Sequence, residues 1–390
     1  MNDLQKVFLE ASAKGFNEYS KAVFDQLSRC HTARMGYHRL RCDDPKCRKE
    51  QYQYHSCGNR HCPNCGGLKR EQWIENRTSE LLPTPYYHLV FTLPHELNPL
   101  IIRNRKAMFK LLFDAASQTI INHGRMPNYL GADCGITMVL HTWGQQLNFH
   151  PHVHCIVTGG GFDGQKWVVA KRIKDNFLFP ERSLSKMYKA IFLTKIAKMN
   201  LETQDLDLAN ICNKISKKRW NVDAKAPFGG PSQVVEYLGR YTHKIAITKH
   251  RIVHLSNTHI TFRYKDYADD SKTKIMTLLR GEFLRRFEMH ILPKRFTKIR
   301  HYGFLQNHGK RARLQQIRQC MQLTALPEIV QLPVAIRMLE KYGKDIFKCP
   351  CCPHGRLQIV NTVRYFKTKT QDIKEIQRII KARNKSSPAL

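Results

Sequence analysis

The stretch "NFHPHVHCIVTGGG", residues 148–161, sets His150, His152 and His154 at every second position. A β-branched run ending in glycines predicts a strand. Successive side chains of a strand point to opposite faces, so the three imidazoles share one face while Val153 and Cys155 turn to the core. Imidazoles spaced in this way form a platform for a divalent ion. Just upstream, "VLHTWGQQLNF" reads as the neighbouring strand, and a hairpin folded symmetrically about Gln146 and Leu147 sets His141 opposite His152. His141 is therefore the candidate third ligand, with Gln145, Gln146 and His150 behind it.

Composition limits what such an ion would act on. The 390 residues carry 65 Lys and Arg against 31 Asp and Glu, a formal net charge of +34, with the excess spread along the chain. Charge of that size points to a polyanion. Nucleic acid comes before membrane, because no basic amphipathic helix with a bulky apolar face stands out. No stretch approaches the roughly 18 apolar residues of a membrane span, and the opening has no signal-type apolar core, so an intracellular protein is expected. Thirteen cysteines are an odd number, and they bunch in short-spaced pairs, which favours thiolate ligands to zinc over disulfides.

The bunching is densest in residues 30–65, "CHTARMGYHRLRCDDPKCRKEQYQYHSCGNRHCPNC", with six cysteines and four histidines. Tetrahedral zinc takes four N or S ligands, and a C-x-x-C turn presents two of them. Eight suitable groups suggest two ions in a crossed order: Cys42, Cys47, Cys62 and Cys65 on one, Cys30, His38, Cys57 and His61 on the other. His31 and His55 compete for the histidine places, and a single zinc with spare buried cysteines is the alternative. Arg34, Arg39, Arg41, Arg48, Lys49, Arg60, Lys69 and Arg70 surround the ligands, which suits a grip on phosphates. A second group, "KCPCCPHGRL", makes Cys349 and Cys352 a further candidate zinc pair, with Cys320 or His301 as distant partners.

The rest of the chain reads as mixed helix and strand. Apolar spacing over residues 4–29 predicts a leading helix, "LLPTPYYHLVFTLP" a strand opening a new domain, and residues 181–220 two helices. "SQVVEYLGRYTHKIAI" begins a helix at a Ser N-cap, and "RIVHLSNTHITFRYKDY" a hairpin around Ser256 and Asn257. The basic tail beyond about residue 356 reads as a helix or a partly disordered arm. On the helix, Tyr237 and Tyr241 fall at i and i+4, hence on one face, with Arg240 and Lys244 beside them. A tyrosine pair at that spacing is ordinarily core packing, yet a tyrosine hydroxyl also serves as a nucleophile towards phosphorus when a metal and cations stabilise the developing charge.

"VFTLP", then "HPHVH", then "YLGRYTHK" resemble the ordered motifs of the HUH superfamily of single-strand endonucleases, in its two-tyrosine branch. More closely, "SCGNRHCPNC", "HTWGQQLNFHPHVHC", "PFGGPSQVVEYLGRYTHKIAI", "EFLRRFEMHILPKRFTKIRHYGFL" and "CPCC" resemble the rolling-circle transposases of the bacterial insertion-sequence family numbered ninety-one, over about residues 30–355. The resemblance implies an α+β protein: a small zinc-binding domain precedes an endonuclease domain with a central antiparallel sheet flanked by helices. Its expected bounds are 1–80 for the zinc domain, 84–250 for the endonuclease with a helical insertion at about 181–220, 251–310 for an accessory β/α segment completing it, and 311–390 for a basic C-terminal region. By the same resemblance His152 and His154 hold Mg²⁺ or Mn²⁺, and Tyr237 and Tyr241 are nucleophiles aided by Lys244. They cleave and rejoin single-stranded DNA at element ends, hairpins included, through a 5′-phosphotyrosine. Arg60, Lys69, Arg70 and Arg240 are candidate DNA contacts, and the bacterial nucleoid is the expected place of work. His141 is not fixed by the motif, and "CPCCPHG" departs from the family's usual C-P-x-C-G. The rival readings are a plasmid or phage replication initiator or relaxase of like chemistry, and a zinc-finger nucleic-acid-binding protein without catalysis.

Overall fold

The computed structural model describes residues 2–13, 15–170, 178–227, 233–234, 237, 239, 246–328 and 333–364. These fall into two compact units: the smaller joins residues 2–5 and 28–57 to 333–364, and the larger holds 6–27 and 58–328. The α+β character expected from the sequence is what the structure shows, with mixed helices and antiparallel sheets.

The larger unit is built on one antiparallel sheet. Its strands are β3 (Tyr86–Thr92), β4 (Asp133–Trp143), β5 (Phe149–Phe162), β7 (Val222–Lys225) and β11 (Ile299–Gly303), in the order β11-β4-β5-β3-β7, with β6 (Trp167–Val169) paired to β5. The histidine strand β5 thus lies at the centre, where both edges are paired. Alternation makes the two sheet faces different. Tyr87, Leu89 and Phe91 of β3, Ile136, Met138 and Leu140 of β4, and Val153, Cys155 and Val157 of β5 all point to one side. There they bury against the 21-residue helix Arg105–Arg125 and the helix Glu181–Ile196 in the main core. The opposite side carries the histidines, and beside them Tyr86 and Ile156 pack with Val234, Trp73, Leu81 and Tyr237.

The strands expected in "LLPTPYYHLVFTLP", in the histidine stretch and just upstream of it form as Tyr86–Thr92, Phe149–Phe162 and Asp133–Trp143, and the two helices expected over 181–220 as Glu181–Ile196 and Leu208–Lys217. So is the hairpin around Ser256 and Asn257, between β8 (Ile252–Leu255) and β9 (His259–Asp266), which β10 (Lys272–Leu279) extends to three strands. The leading helix differs: it is two helices, Asp3–Ser12 and Glu18–Arg29. Asn17 starts the second by accepting the backbone N–H of Ser20 on its side-chain oxygen at 2.9 Å, a cap that apolar periodicity does not reveal.

The smaller unit corrects the reading of the tail. Residues Leu357–Arg364 form a strand, β12, which pairs antiparallel with β1 (Gly36–Cys42) along its length, from Gly36 opposite Arg364 to Cys42 opposite Leu357. β2 (Glu50–Tyr54) takes the other edge of β1. A strand forms because β1 offers an unpaired ladder and because Leu357 buries with Leu40, Cys42 and Cys349. Local composition alone shows neither. Residues 365–390 lie outside the described residues.

The "RHYGFL" stretch owes its glycine to sheet geometry. Gly303 ends β11 at φ +61°, in the left-handed region, and a Cβ there would collide with the carbonyl of Cys134 on β4. Gly303→Ala should therefore lower the denaturant midpoint by an amount worth at least about 1–3 kcal/mol. Gly281→Ala is the control, since nothing lies within 4 Å of a Cβ there and the site is helical. It should be neutral or slightly stabilising. Equal midpoints for the two variants would contradict this account of Gly303.

Candidate active site and metal centres

Three adjacent strands deliver four imidazoles to one face. Pairing sets His141 of β4 opposite His152 of β5, as the symmetric hairpin about Gln146 and Leu147 predicts. On the other edge of β5, His88 of β3 lies opposite Ile156, which shares the parity of His152 and His154. Ligand nitrogens of His141, His152 and His154 all lie within 4.8 Å of one another. The His152 and His154 Nε2 atoms approach to 3.2 Å, and the His141 ring lies 4.6 Å from the His154 ring.

Hydrogen bonds orient these rings. His152 donates Nδ1–H to the carbonyl of His150 at 2.7 Å, which leaves its Nε2 as the lone-pair side. His154 Nδ1 lies 2.9 Å from His88 Nε2, with the two rings stacked at 12°. Tyr237 Oη in turn lies against His88, 3.1 Å from Nδ1 and 3.3 Å from Nε2. His88 and His141 are each only 2% exposed, and His154 8%. Burial first, then the nearby charge of Lys225, holds His88 down to about 3. Burial also lowers His150. Trp143 stacks on the far side of His141 at 4.6 Å, with the Lys298 ammonium 5.0 Å from the indole.

Such a donor set fits one divalent ion. Two imidazole nitrogens 3.2 Å apart can both reach a centre at metal–nitrogen distances of about 2.0–2.2 Å, and a third imidazole stands alongside. His88 was not singled out in the sequence. A signal for it existed: once β3 pairs with β5, its parity puts it on the histidine face.

The cysteines group otherwise than the crossed reading has it. Cys42 and Cys47 of the smaller unit meet Cys349 and Cys352, not Cys62 and Cys65, with all four sulfurs within 4.8 Å. Cys42 and Cys352 sulfurs are 3.5 Å apart, Cys47 and Cys349 3.8 Å. The β1–β12 pairing makes this possible, since it brings Leu357, just after the knuckle, opposite Cys42. Backbone N–H groups of Cys351 and Cys352 point at Cys349 and pull its thiol down to about 7, towards the thiolate a metal needs. Neither Cys320 nor His301 completes this set: Cys320 donates to the Gln165 carbonyl, and His301 bonds Thr137.

The histidines named for the second zinc are engaged elsewhere. His38 bonds the Thr362 hydroxyl at 2.8 Å across the β1–β12 pairing. His61 uses both nitrogens, one with Asn59 at 2.9 Å and one accepting the N–H of Leu292 at 3.0 Å. Burial holds its pKa near 3. Removing them leaves Cys30, which accepts the N–H of Cys57 at 3.4 Å, and the Cys62–Cys65 turn, in which Asn64 N–H donates to Cys62 at 3.4 Å.

Comparison with known proteins gives the family. A family profile described as "Transposase zinc-binding domain" matches residues 1–93, and one described as "Putative transposase" matches 135–313, which includes the histidine strand. A "Putative transposase" of Sinorhizobium fredii is 39% identical over 357 residues, 86% of this chain and 88% of that protein. The chain belongs to the transposases of the insertion-sequence ninety-one family. The transposase for insertion sequence element IS801 of Pseudomonas savastanoi pv. phaseolicola is 29% identical over 353 residues, 87% of this chain and 83% of the relative. No solved structure matches.

A transposase acts on DNA as a cleaving enzyme, which accounts for the net charge of +34. Among the described residues no helix is long and apolar enough to cross a membrane. Of the transposase's expected site residues, Tyr241, Lys244 and Arg240 lie outside the described residues. Tyr237 stands at the histidine cluster through His88. Lys69 and Arg70 sit on the helix Gly67–Thr78, both exposed, and Arg60 bonds the Phe296 carbonyl beside the small cavity lined by Trp143 and Lys298.

Zinc content tests the regrouping. Cys349→Ala and Cys42→Ala should each lose the same single equivalent of zinc, and the double variant no more than that. Structural zinc contributes directly to folding, so both should loosen the β1–β12 pairing and expose the C-terminal strand to protease. Full zinc in purified Cys349→Ala protein, measured by mass spectrometry, contradicts the shared site.

Proposed function

We propose that this transposase cuts and rejoins single-stranded DNA through a 5′-phosphotyrosine, and that His141, His152 and His154 hold the catalytic Mg²⁺ or Mn²⁺. The observation that supports this best is that Tyr237 Oη lies 3.1 Å from His88, which itself bonds His154. A packing tyrosine has no need of a metal-ligand neighbour. When bound, the ion withdraws charge from the scissile phosphate and makes phosphorus a better electrophile. Tyr237 Oη attacks phosphorus and releases its proton to solvent, the P–O3′ bond breaks, and the departing 3′ oxygen takes a proton from solvent in its place. Lys244, with Arg240 nearby, offsets the charge that builds on the phosphate. The phosphotyrosine preserves the bond energy, so the 3′-OH of another strand reverses the step and joins donor to target. Tyr241, one helical turn from Tyr237 in sequence, allows a second strand to be held.

We assign residues 84–250, completed by 251–310, to this endonuclease. Arg60, Lys69 and Arg70 contact phosphates of the element end, hairpins included. Structural zinc serves the recognition module, one ion sitting on Cys42, Cys47, Cys349 and Cys352 of the smaller unit. Work on DNA of this kind belongs in the bacterial cytoplasm, at the nucleoid.

Covalent capture tests the reading. With a labelled single strand carrying the element end and Mn²⁺, the parent should give a denaturant-resistant protein–DNA adduct. Tyr237→Phe keeps the ring packing and should lower adduct yield at least tenfold without lowering stability. The double variant Tyr237→Phe, Tyr241→Phe should give no adduct. An adduct of parental yield from the double variant refutes the phosphotyrosine mechanism, and binding without any adduct in the parent favours a non-catalytic binding protein.

A further inference from the structure

We infer that the open face of the three-stranded sheet in the smaller unit binds unpaired bases of single-stranded DNA, stacking them on Tyr52 and Tyr54 while Arg39 and Arg41 take the phosphates. The histidine face belongs to the larger unit, so the inference goes beyond the phosphotyrosine reading and stands whether or not that intermediate forms.

Alternation decides which side chains share this face. On β1, Leu40 and Cys42 turn inward and bury with Cys349 and Leu357, so Tyr37, Arg39 and Arg41 turn the other way. Residues directly opposite on antiparallel strands point to the same side, and the register sets Tyr54 opposite Tyr37, Tyr52 opposite Arg39 and Glu50 opposite Arg41. From the other edge, β12 adds Asn361 opposite Arg39 and Gln358 opposite Arg41, both exposed. Three tyrosines and two arginines thus stand on one surface, with Glu50 as the carboxylate among them. Tyr52 and Tyr54 are 45% and 41% exposed, on a solvated sheet face that alternation would ordinarily make polar.

The chemistry of that surface fits a single strand. Every base has a π face, and aromatic side chains set among cations hold single strands without reading their sequence. Residues two apart on a β-strand stand roughly 6.8 Å apart, about twice the roughly 3.4 Å step along one strand of a stacked duplex. The two rings therefore suit bases that are spread apart, and a paired duplex presents none. Tyr37 braces both rings edge to face, its centroid 5.2 Å from that of Tyr52 and 6.1 Å from that of Tyr54, so less freedom is lost when a base stacks. Charge agrees with this occupant. Arg41 takes Glu50 at 2.7 Å, whereas Arg39 Nη2 stands 3.8 Å from that carboxylate and Arg39 Nε has no hydrogen-bond partner among the described residues. Two guanidiniums against one carboxylate leave a cation for a phosphate, and the amides of Asn361 and Gln358 can meet base edges.

Photocrosslinking of the full zinc-loaded chain tests this without relying on a variant that must fold. A short oligodeoxythymidine carrying 5-iododeoxyuridine, irradiated on the protein without Mg²⁺ or Mn²⁺, should attach to Tyr52 or Tyr54, as mapped by mass spectrometry. Cross-links confined to other residues overturn the inference. By fluorescence anisotropy with the same strand, the double variant Tyr52→Thr, Tyr54→Thr, which keeps good strand formers, should retain parental zinc and lose affinity at least about tenfold. The dependence of its affinity on salt should keep the parental slope, because no phosphate contact has been removed. Tyr52→Phe with Tyr54→Phe should bind like the parent, since the ring and not the hydroxyl does the stacking. An abasic strand of equal length should bind the parent and the Thr variant alike. If the Thr variant matches the parent on the thymidine strand, the face does not hold bases and the inference is wrong. Covalent capture by Tyr237 is a separate readout, and its failure would leave these results standing.

Discussion

Strand register is the constraint on which the site depends. His141, His152, His154 and His88 share a face only because β4 and β3 pair with β5 at the offsets seen, His141 opposite His152 and His88 opposite Ile156. A slip of one residue in either pairing would turn that strand's histidine to the far side, into the aliphatic core around Phe91 and Leu140. The same slip would expose the strand's apolar set, so burial of one face enforces the arrangement of the other. Here the main core does more than stabilise: the contacts of Leu89, Val153 and Leu140 set where the imidazoles point.

Burying polar rings has a cost, and the site meets it with mutual hydrogen bonds. An imidazole nitrogen left without a partner in the interior forfeits about 1–3 kcal/mol, so the links from His150 through His152 and from His154 through His88 to Tyr237 keep the histidine face tolerable before any ion arrives. They also preorganise it. His152 is held by the His150 carbonyl of its own strand, His154 by His88 of the neighbouring strand, and the rings of His141 and Trp143 stack. The smaller unit uses a similar economy of parts: backbone N–H groups orient the Cys349 sulfur, and a strand more than 300 residues along the chain completes a sheet begun at Gly36.

What could be read from the sequence was local or obeyed parity. The histidine strand, its hairpin partner and the third histidine all follow from alternation and a tight turn, and family resemblance carries the domain types. The pairing of β1 with β12 follows from neither. Cysteine spacing within residues 30–65 favoured ligands close in sequence, whereas the partners of Cys42 and Cys47 lie at the other end of the chain, and only the β1–β12 pairing reveals them. His38 and His61 looked like ligands by type and spacing, yet Thr362, Asn59 and Leu292 engage them instead. His88 escaped notice because a lone histidine in an aromatic strand is ordinarily a hydrogen-bonded core residue, and its importance depends on a partner strand 66 residues away.

The central claim is that histidines from two neighbouring strands hold one catalytic ion on the sheet face beside Tyr237. A crystal of the full chain grown in Mn²⁺ and measured at the manganese absorption edge addresses it most directly. The account predicts one anomalous peak at the convergence of His141, His152 and His154, within about 2.0–2.3 Å of the Nε2 atoms of His152 and His154. An ordered histidine face with no manganese peak, or manganese bound elsewhere while the three imidazoles keep only their hydrogen bonds, would contradict it.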